Sequence, residues 1–114
     1  MPHYLFQWIY SNESIKAMVA DPHNREAEVR KAAEAFGGKL HQFFYAFGEI
    51  DGIAIVEFPD NKSCSACSLT LGSGGAARLW TTALMTMEEG WQAMRTAKEI
   101  TSGYRPPIGY ASHG

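Results

Sequence analysis

The chain has 114 residues, 10 basic and 12 acidic side chains, and a formal net charge of -2. That length holds one hydrophobic core rather than two. The charges are scattered, with no Lys/Arg block fit to follow a phosphate backbone, so nucleic acid is not an expected partner. Met1-Pro2-His3-Tyr4 lacks the cationic and apolar regions of a signal peptide, and no apolar run nears the ~20 residues that span a bilayer. A cytoplasmic protein with no membrane partner is expected. The only two cysteines stand three positions apart, which fits a reducing compartment better than a disulfide framework.

His3 to Tyr10 is rich in aromatic and branched residues and reads as a strand, with Ser11-Asn12 offering oxygens to cap a helix. Ile15, Met18 and Val19 share one helical face. Asp21-Pro22 reads as a restart, Asp as cap and Pro in the first turn, and Val29, Ala33 and Phe36 extend the apolar stripe to a stop at Gly37-Gly38. Lys39 to Phe47 and Asp51 to Phe58 read as an antiparallel hairpin closed by a turn containing Gly48. Asp60 caps a second helix that carries Cys64, Cys67 and Leu71 on one face and stops at Gly72-Ser73-Gly74-Gly75. Arg78 to Met85 is the fourth strand. Thr86 and Glu89 have capping-box spacing and open a further helix to about Ile100. The last fourteen residues hold Gly103, Pro106-Pro107 and Gly109 and are expected to be neither helical nor a central strand.

This order is βαββαβ, an α+β, ferredoxin-like arrangement with an antiparallel four-stranded sheet, an extra C-terminal helix and a tail. The domain is expected over residues 1–100 and the tail over 101–114. Strict alternation puts Leu5 and Ile9 opposite Tyr4, Phe6, Trp8 and Tyr10; Leu40, Phe44 and Ala46 opposite Phe43, Tyr45 and Phe47; Ile53 and Ile55 opposite Ala54, Val56 and Phe58; Leu79 and Met85 opposite Trp80 and Leu84. Both sheet faces are then apolar. Helices cover one, and a homodimer packed sheet on sheet is expected to cover the other.

Several ordered pieces resemble the GYD-domain family: the Tyr-containing first strand, Arg25, Gly37-Gly38-Lys39-Leu40, Gly48-x-x-Asp51, Glu57-x-Pro59-Asp60, and a Gly-containing turn into Arg78-x-x-Thr81. The resemblance spans roughly residues 4 to 90. In the namesake Gly-x-Tyr-Asp motif this chain has Ile50 in place of Tyr, so a role of that phenol does not carry over, whereas the Gly and Asp do. Membership would imply a dimeric α/β barrel with an aromatic-walled cavity between sheet and helices, where related barrels bind small apolar substrates.

Asp51 and Glu57 share a face of the third strand with two isoleucines, and a carboxylate held on such a surface is suited to proton transfer. Hairpin or solvent contacts are the structural alternative, and the resemblance marks Asp51 of the two. His41 alternates with Phe43 and Tyr45 and is the residue expected to orient Asp51 or to line an aromatic pocket, if it is not simply exposed at the strand's start. Trp8, Tyr45, Glu57 and Trp80 complete that expected pocket. Cys64 and Cys67 hold a C-x-x-C spacing that serves redox chemistry or half a zinc site, but their helical register fits buried structural thiols better. No His pair has metal-site spacing, and no metal or other cofactor is expected. The expected function is therefore a small-molecule-binding homodimer, catalysing cofactor-free proton transfer or oxygenation on a small aromatic or carbonyl compound if it is an enzyme. A non-catalytic binding or assembly module, and a thiol or metal protein using Cys64 and Cys67, are the alternatives.

Overall fold

The computed structural model describes residues 1–111; the end of the expected tail, residues 112–114, lies outside the described residues. In chain order come β1 (His3–Tyr10), α1 (Asn12–Ala20), α2 (Arg25–Ala35), β2 (Lys39–Tyr45), β3 (Gly52–Glu57), α3 (Asn61–Ser73), β4 (Ala76–Leu84), α4 (Met87–Glu99) and α5 (Pro107–Ala111). The sheet order is β2-β3-β1-β4 with every neighbouring pair antiparallel, the ferredoxin-like arrangement that the element order implies. Among the described residues no helix is long and apolar enough to cross a membrane.

The chain divides into two compact units, Met1–Leu84 and a second beginning at Met85. In the first, β1 sits at the middle of the sheet and sends Tyr4, Phe6 and Trp8 to the helical side. They meet Ala54 and Val56 of β3, Leu40 of β2, Phe58, Val29 and Ala33 of α2, and Cys64 and Cys67 of α3. Each fully buried large side chain such as Phe6 or Phe58 contributes about 1.5–3 kcal/mol relative to exposure. In the second unit α4 has the expected capping box, Thr86 Oγ1 accepting from the Glu89 amide and Glu89 Oε1 from the Thr86 amide. Arg95 stacks over the Trp91 ring 5.3 Å from its centroid.

Local chemistry explains most boundaries. Ser11 caps α1 and Asp60 caps α3, each accepting a hydrogen bond from an amide three residues on. Gly37, at φ +77°, ends α2 in a Schellman motif, with Gly37 N–H donating to Glu34 O and Gly38 N–H to Ala33 O.

Three expectations are corrected. The restart cap is Asn24, whose side chain accepts from the Ala27 amide; Asp21 and Pro22 lie before the helix. A β-bulge at His41, between the Leu40–Val56 and Gln42–Ile55 pairs, shifts the side-chain alternation of β2. Phe43 and Tyr45 therefore face the helices together with Leu40, whereas Phe44 faces away. The last fourteen residues do include a helical turn, α5, which begins at Pro107: a proline in the first helical position gives up no hydrogen bond.

Gly52 pairs with Trp8 across the β1–β3 ladder, and a Cβ there would collide with the indole ring. Gly52→Ala is therefore expected to cost about 1–3 kcal/mol in urea unfolding through overpacking, while Gly48→Ala, whose Cβ meets no atom within 4 Å, leaves stability nearly unchanged. Equal midpoints for the two variants would contradict the packing at Gly52.

Candidate functional site

A cavity of about 150 Å³ opens on the helical side of the sheet, in the first compact unit. Trp8 and Tyr10 of β1 and Leu79 of β4 form its floor, Ala17 and Met18 of α1 and Val29 of α2 its walls, and Leu71 of α3 its end. Its polar groups are few: Ser14, His23, Arg25, and the Tyr10 phenol.

Their positions follow from the chain's local chemistry. Ser14 Oγ donates to Gly75 O at 2.9 Å and Ser11 N–H donates to the same carbonyl at 3.1 Å, pinning the start of α1 to the turn before β4. Gly75 adopts φ +143°, and a Cβ there would lie 2.8 Å from Ser14 Oγ. His23 Nδ1–H donates to Asp21 O at 2.8 Å, which leaves Nε2 to accept from Arg25 Nη1–H at 3.2 Å. A short loop thus holds the half-buried guanidinium at the cavity's edge. Among the described residues Arg25 has no carboxylate within salt-bridge distance.

Among the described residues the buried Trp8 indole Nε1–H has no hydrogen-bond partner. A buried donor left unmade costs about 1–3 kcal/mol, so such a group marks either strain or a place for an acceptor. Tyr10 is close enough for its acidity to feel the indole, but their geometry does not complete a hydrogen bond. Burial raises the Tyr10 phenol above its ordinary pKa, with Trp8 and the positive charge of Arg25 pulling the other way. Tyr10 therefore stays protonated at neutral pH. Trp8, Tyr10 and Phe43 continue the aromatic surface, at centroid distances of 6.3 Å for Trp8–Tyr10 and 5.4 Å for Trp8–Phe43.

Of the four residues expected around a pocket, Trp8 alone lines this cavity. Tyr45 lies on the same sheet face but is exposed at the end of β2, edge-on to Phe43. Glu57 and Trp80 face the opposite side, where Arg78 covers the Trp80 ring at 4.8 Å. Asp51 and His41 are not together: they stand at opposite ends of the hairpin, about 15 Å apart at strand rise. Asp51 is stitched into the backbone. Its amide donates to Trp8 O, its carbonyl accepts from Ala46 N–H, and its Oδ2 accepts from Tyr10 N–H, each at 2.9 Å. His41 instead donates from Nε2 to Glu57 Oε1 at 2.6 Å, and His3 Nε2 lies 3.6 Å from the same oxygen. That hydrogen bond holds the Glu57 carboxyl below its usual range, partial burial opposing it and the two imidazoles adding to it.

Arg25 stands out in the sequence only through the family resemblance, and no local pattern gives Ser14 or His23 a role. The available signal was the pairing of one arginine with a helix start, which does not reveal that β1 lies beside it. Cys64 and Cys67 are free, buried thiols of the core, and burial pushes each up to about 11.

Sheet order, antiparallel pairing and the cavity under the helices define a ferredoxin-like α+β domain. The chain belongs to the GYD-domain family, whose profile matches residues 4–94. Among solved structures, the crystal structure of MtbAldR aligns with 92% of this chain at 12% identity and a TM-score of 0.49. The alignment spans 58% of that chain, less than two thirds of its length. No curated protein gives a significant match.

Thiols of pKa about 11 carry ~10²-fold less thiolate at pH 8 than ordinary cysteines, before any steric protection. Native protein is therefore expected to react with a disulfide reagent at least that much more slowly than the urea-unfolded chain. The same shift fixes a pH dependence: neutral thiols favour the native state below pH ~9, and their contribution is lost as pH rises through 11. Alkaline unfolding should become less steep in Cys64→Ala/Cys67→Ala. Rapid labelling of both thiols in the native state would contradict the burial.

Proposed function

We propose that the protein is a small-molecule-binding homodimer, each subunit using its own cavity for a compound with an aromatic or branched body and one anionic or carbonyl oxygen. The observation that carries this reading is the Trp8 N–H, buried with no partner among the described residues, in a largely apolar cavity whose lining also includes the Arg25 guanidinium, bonded to His23 but paired with no carboxylate among those residues. A space of about 150 Å³ suits one six-membered ring. An oxygen between indole and guanidinium would gain charge-assisted hydrogen bonds while the ring replaces water against Val29, Leu71 and Leu79.

If the bound compound is also turned over, the reaction class is cofactor-free proton transfer or oxygenation at a carbon next to that oxygen. Donors aimed at the oxygen favour an enolate or phenolate over its neutral parent, which is what such chemistry needs. The neutral Tyr10 phenol can supply a proton. Asp51 acts in this reading as a positioning residue, through the Tyr10 backbone that its carboxylate holds.

The dimer rests on the face turned away from the helices. Leu5, Ile9, Ile53, Ile55, Trp80 and Leu84 are half-buried there, and Phe44 is 54% exposed. The register sets Leu5 directly against Ile55 on the two central strands. An apolar face of this kind calls for a cover, and a second copy brings an identical one.

Two measurements test the reading. Sedimentation equilibrium at micromolar concentration is expected to give twice the chain mass for the wild type and the single-chain mass for Ile55→Lys; a monomeric wild type removes the dimer. For the cavity, the Trp8 indole cross-peak in a ¹⁵N-correlated spectrum, assigned with Trp8→Phe, is expected to move on millimolar titration with benzoate or phenylacetate. Arg25→Gln should weaken these carboxylates ~10-fold or more while changing benzyl alcohol little. An indole signal unmoved by all three compounds would overturn the site.

A further inference from the structure

The opposite face of the sheet carries a second group of side chains. His3 of β1, the bulged His41 of β2 and Glu57 of β3 converge there from three adjacent strands, and their ligand atoms all lie within 4.8 Å of one another. The two imidazoles are stacked, with centroids 5.0 Å apart and an interplanar angle of 17°, and both present Nε2 to Glu57 Oε1. We propose that His3, His41 and Glu57 form a binding site for a divalent first-row transition-metal ion, with zinc the best-suited probe.

The donor set has the required chemistry. Two imidazole nitrogens and one carboxylate oxygen match the three protein ligands of open zinc and non-haem iron sites, and zinc itself imposes the least geometric preference. The separations of 2.6 and 3.6 Å between Nε2 and Oε1 resemble those between neighbouring ligands around one ion, so side-chain rotation suffices to admit it. Entry exchanges the proton on His41 Nε2 for the metal. The Glu57 side chain is only 19% exposed, so a fixed carboxylate anchors two more exposed imidazoles.

The bulge is the feature that makes the site. With regular alternation, His41 would lie on the same side as Phe43 and Tyr45; the extra residue between the Leu40 and Gln42 pairs turns it toward Glu57. His3 and Glu57 oppose each other in the β1–β3 register, which fixes the remaining two ligands. The triad sits at the end of its face, with the His3 side chain 46% exposed, so positions left open on the ion are reached by water.

The test is metal binding by full-length protein without a polyhistidine tag, using Zn²⁺ in calorimetry and Co²⁺ in visible absorption. Wild type is expected to bind one ion per chain saturably and to show a cobalt ligand-field band. His3→Ala and His41→Ala should each lose at least ~10-fold in affinity, the scale already reached when only outer-sphere partners are removed. Glu57→Gln should lose a similar amount, whereas Cys64→Ala/Cys67→Ala should bind as wild type does. Circular dichroism establishes that each variant is folded; should His41→Ala not fold, the exposed His3→Ala carries the comparison. Unsaturable binding by wild type, full binding by folded His3→Ala, or loss of binding in the cysteine variant each overturns the proposal, the first reducing the triad to a hydrogen-bonded ion pair.

Discussion

The close approach of the Trp8 indole to Gly52 is the constraint on which much of the first unit depends. β1, one of the two central strands of the sheet, delivers three large aromatics to the helices, and the last of these needs space that only a residue without Cβ provides. With the ring seated over Gly52, the backbone beyond it is tied down by Asp51, which bonds to Trp8 O and to the Tyr10 amide. The same placement leaves the indole nitrogen buried and unmatched at the edge of the cavity. Packing, turn and site therefore share one cause.

The two sides of the sheet use their polar groups differently. On the helical side a few donors, Arg25 foremost, edge an apolar space, and a low local dielectric strengthens whatever acceptor they meet. On the other side, polar groups gather at one end of a largely apolar surface, where Glu57 draws in two imidazoles. The carboxylate stays ionised because His41 donates to it. Nothing similar holds for the two thiols, which burial alone keeps protonated and which belong to the packing of α3 against the sheet.

Local signals were sufficient for the elements from β1 to α4 and their order, though not for α5. Capping residues at Ser11, Asp60 and Thr86, the glycines after Ala35, and period-two patterns in β1 and β3 act within a few residues, so they can be read along the chain. The helical spacing of Cys64 and Cys67 likewise pointed inward, where both lie. An apolar pattern on both faces of the sheet was legible for the same reason: it depends on alternation alone.

What the tertiary structure decided is which residues from different strands meet. A bulge changes the facing of every later residue of β2 and leaves no mark in composition, so His41 met Glu57 and His3 instead of Phe43, Tyr45 and Asp51. The cavity gathers residues from β1, α1, α2, α3 and β4, and its identity rests on the crossing of helices over the sheet. Sequence by itself determined the ferredoxin-like order, the caps at Ser11, Asp60 and Thr86 and the inward register of Cys64 and Cys67, because those follow from nearest-neighbour chemistry; the partners of Asp51 and His41 and the place of Arg25 at the cavity were settled only by long-range pairing and register, which no local pattern encodes.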